Sequence, residues 1–127
     1  MYARVTITQG PPERVAEVIR YIQEHIVPAA RKEPGFRGGY WLGDRKTGKG
    51  MVMTLWESEE AERASQAMAA QARAHAVAAL GGEIGSVEVY EVVAQAPVKE
   101  ARPARAKTRR RRPVRAARRK VRRRKKS

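Results

Sequence analysis

The sequence contains no cysteine among its 127 residues, which excludes disulfide bonds, thiol catalysis and cysteine-ligated metal centres in this chain. It has no apolar run near the roughly 20 residues that a membrane-spanning helix needs, and no basic-then-apolar leader. No set of histidines and carboxylates has the spacing of a metal site. We therefore expect a soluble, cytoplasmic protein without a metal.

Charge is distributed unevenly along the chain. The net charge is +15, yet residues 1–96 carry 11 Lys and Arg against 12 Asp and Glu, whereas residues 97–127 carry 17 against 1. The two parts thus have net charges of −1 and +16. A chain segment with such charge and few core-forming residues does not fold alone. We predict a folded domain over residues 1–96 and a disordered Arg/Lys-rich tail over residues 97–127.

Hydrophobic patterns in the first part predict six elements in the order βαββαβ. Alternation indicates a strand over Tyr2–Gln9 and a last strand over Val87–Val93. Between them we expect a helix that Pro28 kinks or ends, a hairpin turning at Gly48, and an alanine-rich helix capped by Ser58. The first helix carries an apolar stripe at helical spacing, which consists of Val15, Val18, Ile19, Ile22 and Ile26.

This order is that of the ferredoxin-like α+β fold, an antiparallel sheet with two helices on one face. On the third strand Met51, Met53 and Leu55 lie on one face, and Val52 and Trp56 lie on the other, so both faces of the sheet need cover. Because the helices cover only one face, we expect a second copy to cover the other. The predicted assembly is a homodimer with sheet packed on sheet.

Four stretches within residues 2–94 resemble the antibiotic biosynthesis monooxygenase family of the dimeric α+β barrel superfamily: "ARVTITQG", "EPGFRGGYWLGDRKTGKG", "MTLWESEEAERAS" and "ARAH". The resemblance implies two chemistries, namely cofactor-free oxidation of aromatic polyketides by O₂ and oxygen-dependent degradation of bound haem. The haem-degrading branch uses an asparagine on the first strand and a tryptophan and a ligating histidine on the second helix. At those places this chain has Ala3, Ser65 and His75.

His75 is therefore the candidate catalytic base and, if haem binds, the candidate axial ligand. The cofactor-free reaction needs a base and a dry pocket, and helical spacing puts His75 on one face with Met68 and with the small residues Ala61, Ala72 and Ala79. If Ala3 faces the pocket, as the resemblance implies, alternation points Arg4 away from it. The predicted ligand pocket consists of Tyr40, Trp56, Met68 and His75.

Other interpretations of these residues remain open. His75 can be a partly buried histidine bonded to a carbonyl or water, and Tyr40 and Trp56 can be core or interface aromatics. The domain is accordingly either a cofactor-free monooxygenase that binds a small aromatic molecule, a haem-binding protein, or a dimer without a reaction. In the last case it would serve as a nucleoid-type architectural protein.

The tail is predicted to bind DNA or RNA through phosphates, and so to associate with the nucleoid if DNA is the partner. Arginine exceeds lysine by 12 to 5 in residues 97–127, which favours bidentate phosphate contacts. The tail has no aromatics for base stacking and no bulky apolar face for membrane insertion, so its binding should be sequence-nonspecific. The predicted contacts are Arg109, Arg110, Arg111, Arg112, Arg115, Arg118, Arg119, Lys120, Arg122, Arg123, Arg124, Lys125 and Lys126.

Overall fold

The structure, a computed structural model, describes residues 1–97. Met1–Val93 form a compact unit built on one antiparallel sheet of four strands in the order β2-β3-β1-β4. This is the ferredoxin-like arrangement that the sequence predicted. The strands are β1 (Tyr2–Gln9), β2 (Phe36–Gly43), β3 (Lys49–Trp56) and β4 (Glu83–Glu91).

Two helical segments connect the strands. The first begins with a 3₁₀ turn over Pro12–Arg14, and the second is divided at Ser65. Within residues 1–97 no helix combines the length and apolarity of a bilayer span. The helices are α1 (Val15–Tyr21), α2 (Val27–Arg31), α3 (Glu59–Ala64) and α4 (Gln66–Leu80), with a π-helical turn over Ile22–Ile26 joining α1 to α2.

Pro28 interrupts the first helical segment without ending it. The ring has no N–H to donate to the carbonyl one turn earlier, and the wide π-helical turn stands directly before α2, in which Pro28 lies. Of the two outcomes expected for this proline, a local distortion is the one observed.

Local signals fix the ends of several elements. Ser58 Oγ accepts a hydrogen bond of 3.1 Å from the Ala61 N–H and caps α3. Gly48 has φ +80°, and a Cβ there would lie 2.0 Å from the Gly10 carbonyl oxygen, so only glycine fits this turn. The last strand covers Glu83–Glu91 rather than the predicted Val87–Val93: it begins earlier because the chain pairs with β1 directly after α4, and it ends at Glu91, which pairs with the first residue of β1.

The two faces of the sheet differ in chemistry. Alternate residues of β1 and β3 face the helices, and the remaining residues form what we call the outer face. The helix-facing set of these two strands includes Arg4, Thr6, Thr8, Gly50, Val52, Thr54 and Trp56, and the outer set includes Ala3, Val5, Ile7, Met51, Met53 and Leu55.

A single chain buries little apolar surface. Among residues 1–97, Ala3 and Trp56 are the only fully buried apolar residues. On the outer face Tyr40, Leu42 and Tyr90 are 64%, 53% and 52% exposed. The outer face therefore keeps large apolar groups in contact with water in the isolated chain.

Candidate ligand-binding cavity

A cavity of about 520 Å³ lies between the helices and the helix-facing side of the sheet. This volume is within the range of small-molecule sites. The apolar stripe predicted for the first helix forms one wall, since Val15, Val18, Ile19, Ile22 and Ile26 all line the cavity. The opposite helical wall comes from α4 and includes Met68, Ala69, Ala72, Ala76, Val77 and Leu80.

A buried ion pair joins β1 to α3 beside this cavity. Arg4 Nη1 lies 3.0 Å from Glu62 Oε2, and the two side chains are 6% and 2% exposed. The same nitrogen donates to Ser65 Oγ at 2.9 Å, and Ser65 Oγ donates to the Glu62 carbonyl oxygen at 2.8 Å. The Gln66 amide donates to Glu62 Oε1 at 3.0 Å. The carboxylate thus has partners for both oxygens, as a buried charge requires.

Trp56 supports this ion pair from the sheet. The Arg4 guanidinium carbon lies 5.1 Å from the centroid of the Trp56 ring, within the range of cation–π attraction. Trp56 Nε1 donates to Thr54 Oγ1 at 3.0 Å, and the Phe36 ring meets Trp56 edge-on at 5.5 Å. The indole is held on two sides, and it forms part of the cavity wall.

A second guanidinium reaches the cavity from α4. Arg73 lines the wall and makes no salt bridge or side-chain hydrogen bond within residues 1–97. Burial lowers the pKa of Arg73, and the positive charge of Arg4 lowers it further. Both arginines line the cavity, so each adds a positive charge to its wall.

The structure brings together two of the four residues predicted for the pocket. Trp56 and Met68 line the cavity, whereas Tyr40 belongs to the outer face and His75 is exposed and lies off the cavity wall. The side of α4 that faces the sheet includes Arg73 instead of His75. A pocket role for Tyr40 and a catalytic role for His75 stay predictions that this geometry does not support.

The expectation that Arg4 points away from the pocket is wrong. Alternation along β1 separates Arg4 from Ala3 as predicted, but Arg4 faces the helices and Ala3 faces outward. The placement of Ala3 had come from the family resemblance and not from this chain. The sequence signal for a polar patch under the helices was the alternation that puts Arg4, Thr6 and Thr8 on one side of β1, and the structure pairs Arg4 with Thr54 on that face.

The cavity does not contain the haem ligand that the resemblance implies. His75 is the residue that the resemblance assigns as axial ligand, and it does not line the cavity. His25 does line the cavity, and its exposed ring packs 4.8 Å from that of Tyr21. Within residues 1–97 no group of histidines and carboxylates could hold a metal ion.

A ferredoxin-like domain with a ligand-sized cavity between helices and sheet defines a broad class of proteins. Within that class, the antibiotic biosynthesis monooxygenase family model matches residues 1–77. The chain therefore belongs to this family. An uncharacterized Mycobacterium tuberculosis protein is 30% identical over 94 residues, which make up 74% of this chain and 42% of the relative. The chain thus spans less than half the length of that relative.

Solved structures of related fold include enzymes. A heme-degrader from Mycobacterium tuberculosis, MhuD, with two hemes bound in its active site, has 25% identity and a TM-score of 0.61 over 76% of this chain and 100% of its own. A Streptomyces coelicolor monooxygenase in complex with nanaomycin D has 16% identity and a TM-score of 0.57 over 79% of this chain and 92% of its own. The second likeness shows the fold alone.

The thirteen basic residues predicted to contact nucleic acid, from Arg109 to Lys126, lie outside the described residues.

Proposed function

We propose that residues 1–96 bind a small aromatic molecule in the cavity and act on it as a cofactor-free monooxygenase, while the basic tail attaches the protein to nucleic acid. The cavity carries this proposal, because an apolar space of about 520 Å³ with a few convergent polar groups is the usual form of a small-molecule site. A dimer that served only to pair two tails would need no such space. Membership in the monooxygenase family supports the choice of reaction.

The aromatic character of the ligand follows from the walls of the cavity. Trp41 and Trp56 line the sheet side, and aliphatic or alanine side chains line the helical side. A flat ring system can pack between these two surfaces. Such a site also keeps an oxidisable ring away from bulk water, which the reaction with O₂ requires.

Filling the cavity tests ligand binding. Ala76 lines the cavity on α4, and Ala78 is exposed on the same helix. We expect Ala76→Phe to weaken the binding of a hydroxylated anthraquinone at least about 10-fold, because the added ring occupies the ligand's space. The matched control, Ala78→Phe, should leave the dissociation constant within about 2-fold. Equal effects of the two variants, measured by fluorescence titration, would contradict the cavity as the site.

Oxidation is tested separately from binding. Oxygen uptake with a bound hydroxylated anthrone, whose ring CH₂ reacts with O₂ to give the quinone carbonyl and water, should require the protein under metal-free conditions, and it should fall with Ala76→Phe. If the ligand binds but no oxygen is consumed, the domain is a binding module. Haem serves as a further probe: spectral changes lost in His75→Ala would restore this histidine as a ligand, and spectra unchanged by the substitution would exclude it.

We propose that the outer face forms a homodimer interface. Tyr40, Leu42 and Tyr90 are exposed there around the more buried residues of β1 and β3. Two copies of such a face can pack against each other, with the two sheets about 10 Å apart. The dimer would also pair two tails, so that binding of one tail raises the effective concentration of the other at the same nucleic acid.

The tail is expected to supply all of the nucleic-acid affinity, because residues 1–96 have a net charge of −1 and residues 97–127 have a net charge of +16. If six to ten phosphates are contacted, affinity should fall about 10³–10⁵-fold between 50 and 200 mM salt. Truncation after Ala96 should abolish binding while circular dichroism of the domain is unchanged. Equally tight binding by the truncated protein would move the interface to the domain.

A further inference from the structure

Three polar groups on the cavity wall are buried or half-buried and have unused hydrogen-bonding capacity. Within residues 1–97 both hydrogen bonds of the Arg4 side chain come from Nη1, so Nε and Nη2 have no partner there. Arg4 is 5% exposed and Thr6 is 4% exposed, and the Thr6 hydroxyl also makes no hydrogen bond in this part of the chain. Arg73, half-buried on the wall of the same cavity, has no acidic partner within residues 1–97. Buried donors without partners are rare in folded proteins unless they bind a ligand or water.

The free side of Arg4 has a particular shape. Nε–H and one Nη2–H of a guanidinium are parallel, and together they form the fork that binds a carboxylate through two hydrogen bonds. In this structure Glu62 and Ser65 occupy the other nitrogen, Nη1, and leave the fork unused. The internal ion pair thus holds Arg4 in place without consuming the geometry that recognises a second carboxylate.

Charge favours an anion at the same end of the cavity. Glu62 offsets one of two positive charges, those of Arg4 and Arg73, so one remains uncompensated among these three groups. An anion between the two guanidiniums would relieve their mutual repulsion.

The acidic residues on the cavity wall do not provide this anion. Asp44 and Glu83 lie near the far end of β1, where Gln9 pairs with Lys49 and Glu83. Gln9 is five positions after Arg4 along the strand, which corresponds to a distance of about 17 Å. Glu33 is half-buried on the wall but makes no salt bridge with Arg73 within residues 1–97.

We infer that the cavity takes an aromatic carboxylate, whose carboxylate group lies on the Nε/Nη2 fork of Arg4 and beside Arg73, and whose ring extends along the apolar walls. This inference rests on the proposed function of the cavity as a ligand site and adds the chemical class of the ligand. Arg4 and Arg73 act in it as binding residues, and no reaction step is assigned to them.

The test compares two probes of the same size and shape, anthraquinone-2-carboxylate and its neutral carboxamide. We expect the carboxylate to bind the full-length protein at least about 10-fold more tightly, as the loss of a charge-assisted hydrogen bond in a dry site costs this much or more. Arg73→Gln should remove most of this preference. The matched control Arg20→Gln, at an exposed position outside the cavity, should preserve it.

Arg4 is tested with its partner, because a single substitution would leave Glu62 buried without its cation. The double variant Arg4→Gln with Glu62→Gln removes both charges and keeps polar side chains at both positions, although glutamine is shorter than arginine. If it folds, it should bind the carboxamide as wild type does and lose the preference for the carboxylate. Arg73→Gln keeps the inference testable if the double variant does not fold.

The outcomes separate the two proposals. Equal affinity of wild type for both probes would overturn the carboxylate inference and leave the cavity as an apolar ligand site. A preference that persists in Arg73→Gln and in the double variant would also overturn it. If neither probe binds at any concentration within their solubility, both the inference and the proposed function fail.

Discussion

The two faces of the sheet differ in how their polar and apolar residues are exposed. The helix-facing side, which is covered within the chain, carries Arg4 and the hydroxyls of Thr6 and Thr54, all buried. The outer face, which nothing in residues 1–97 covers, carries methionines and leucines. If only the stability of the single chain mattered, such polar residues would lie on the exposed face and such apolar residues on the covered face. This difference supports the two proposals, that the helix-facing side binds a ligand and that the outer face binds a second copy of the chain.

The comparison explains why the single chain has so small an apolar core. Side chains that would form a core in a monomer are divided between a cavity wall and an exposed face. A small domain of this kind gains stability when a partner buries the exposed face. Each face can therefore be tested by substitutions that leave the other unchanged.

The largest effect is expected at the buried ion pair on the helix-facing side. Glu62→Ala leaves Arg4 charged and buried without its carboxylate, which should lower the free energy of unfolding by about 3–5 kcal/mol. The exposed pair between Glu59 and Arg63, with side chains 52% and 60% exposed, provides the control. Glu59→Ala should cost less than about 1 kcal/mol. Urea denaturation at one fixed protein concentration measures both.

A comparable loss for the two variants would contradict a structural role of the buried pair. It would also remove the reason for expecting Arg4 to stay fixed beside the cavity.

On the outer face the largest effect should be on assembly. Met53 lies near the centre of this face, between Val5 and Tyr40 on the neighbouring strands. Met53→Glu would bury an unpaired carboxylate in each half of the proposed interface, so the dimer dissociation constant should rise at least about 100-fold. Lys46→Glu, in the exposed hairpin loop, also adds a carboxylate but outside the face, and it lowers the net charge by two where Met53→Glu lowers it by one.

Sedimentation of the protein truncated after Ala96 measures this effect without the tail. A truncated wild type that is monomeric at micromolar concentration would overturn the dimer. Dissociation by Lys46→Glu as well would show that net charge, not the outer face, controls assembly.

The sequence predicted the elements of the fold and the cavity-facing stripe of the first helix, but not which sides β1 and α4 turn to the cavity. Alternation along β1 separates Arg4 from Ala3, yet it does not say which of the two faces the helices. The same ambiguity affects α4, which carries alanine on several sides, so spacing alone did not determine that Arg73 faces the sheet while His75 is exposed. The ion pair to Glu62 resolves the first ambiguity, and it joins residues 58 positions apart in the sequence.

Caps and turns were predictable because they depend on near neighbours. Ser58 accepts from the N–H of Ala61, and Gly48 donates its N–H to the Asp44 carbonyl within the hairpin turn, and both have the predicted roles. The cavity is different, because it depends on how far the helices stand from the sheet. No local pattern in the sequence encodes that distance.

The smallest effect should come from two neighbours on β1 that face opposite ways. Thr6 is buried beside the cavity without a hydrogen bond for its hydroxyl within residues 1–97. Thr6→Val keeps the shape and removes this group, so the free energy of unfolding should rise by up to about 1 kcal/mol. Val5→Thr makes the converse change on the outer face. It should lower the free energy of unfolding by about 1 kcal/mol, because a hydroxyl enters the proposed interface. If Thr6→Val instead destabilises the protein by more than about 1 kcal/mol, measured by urea denaturation, the hydroxyl has a structural partner and the helix-facing side is not kept polar for a ligand.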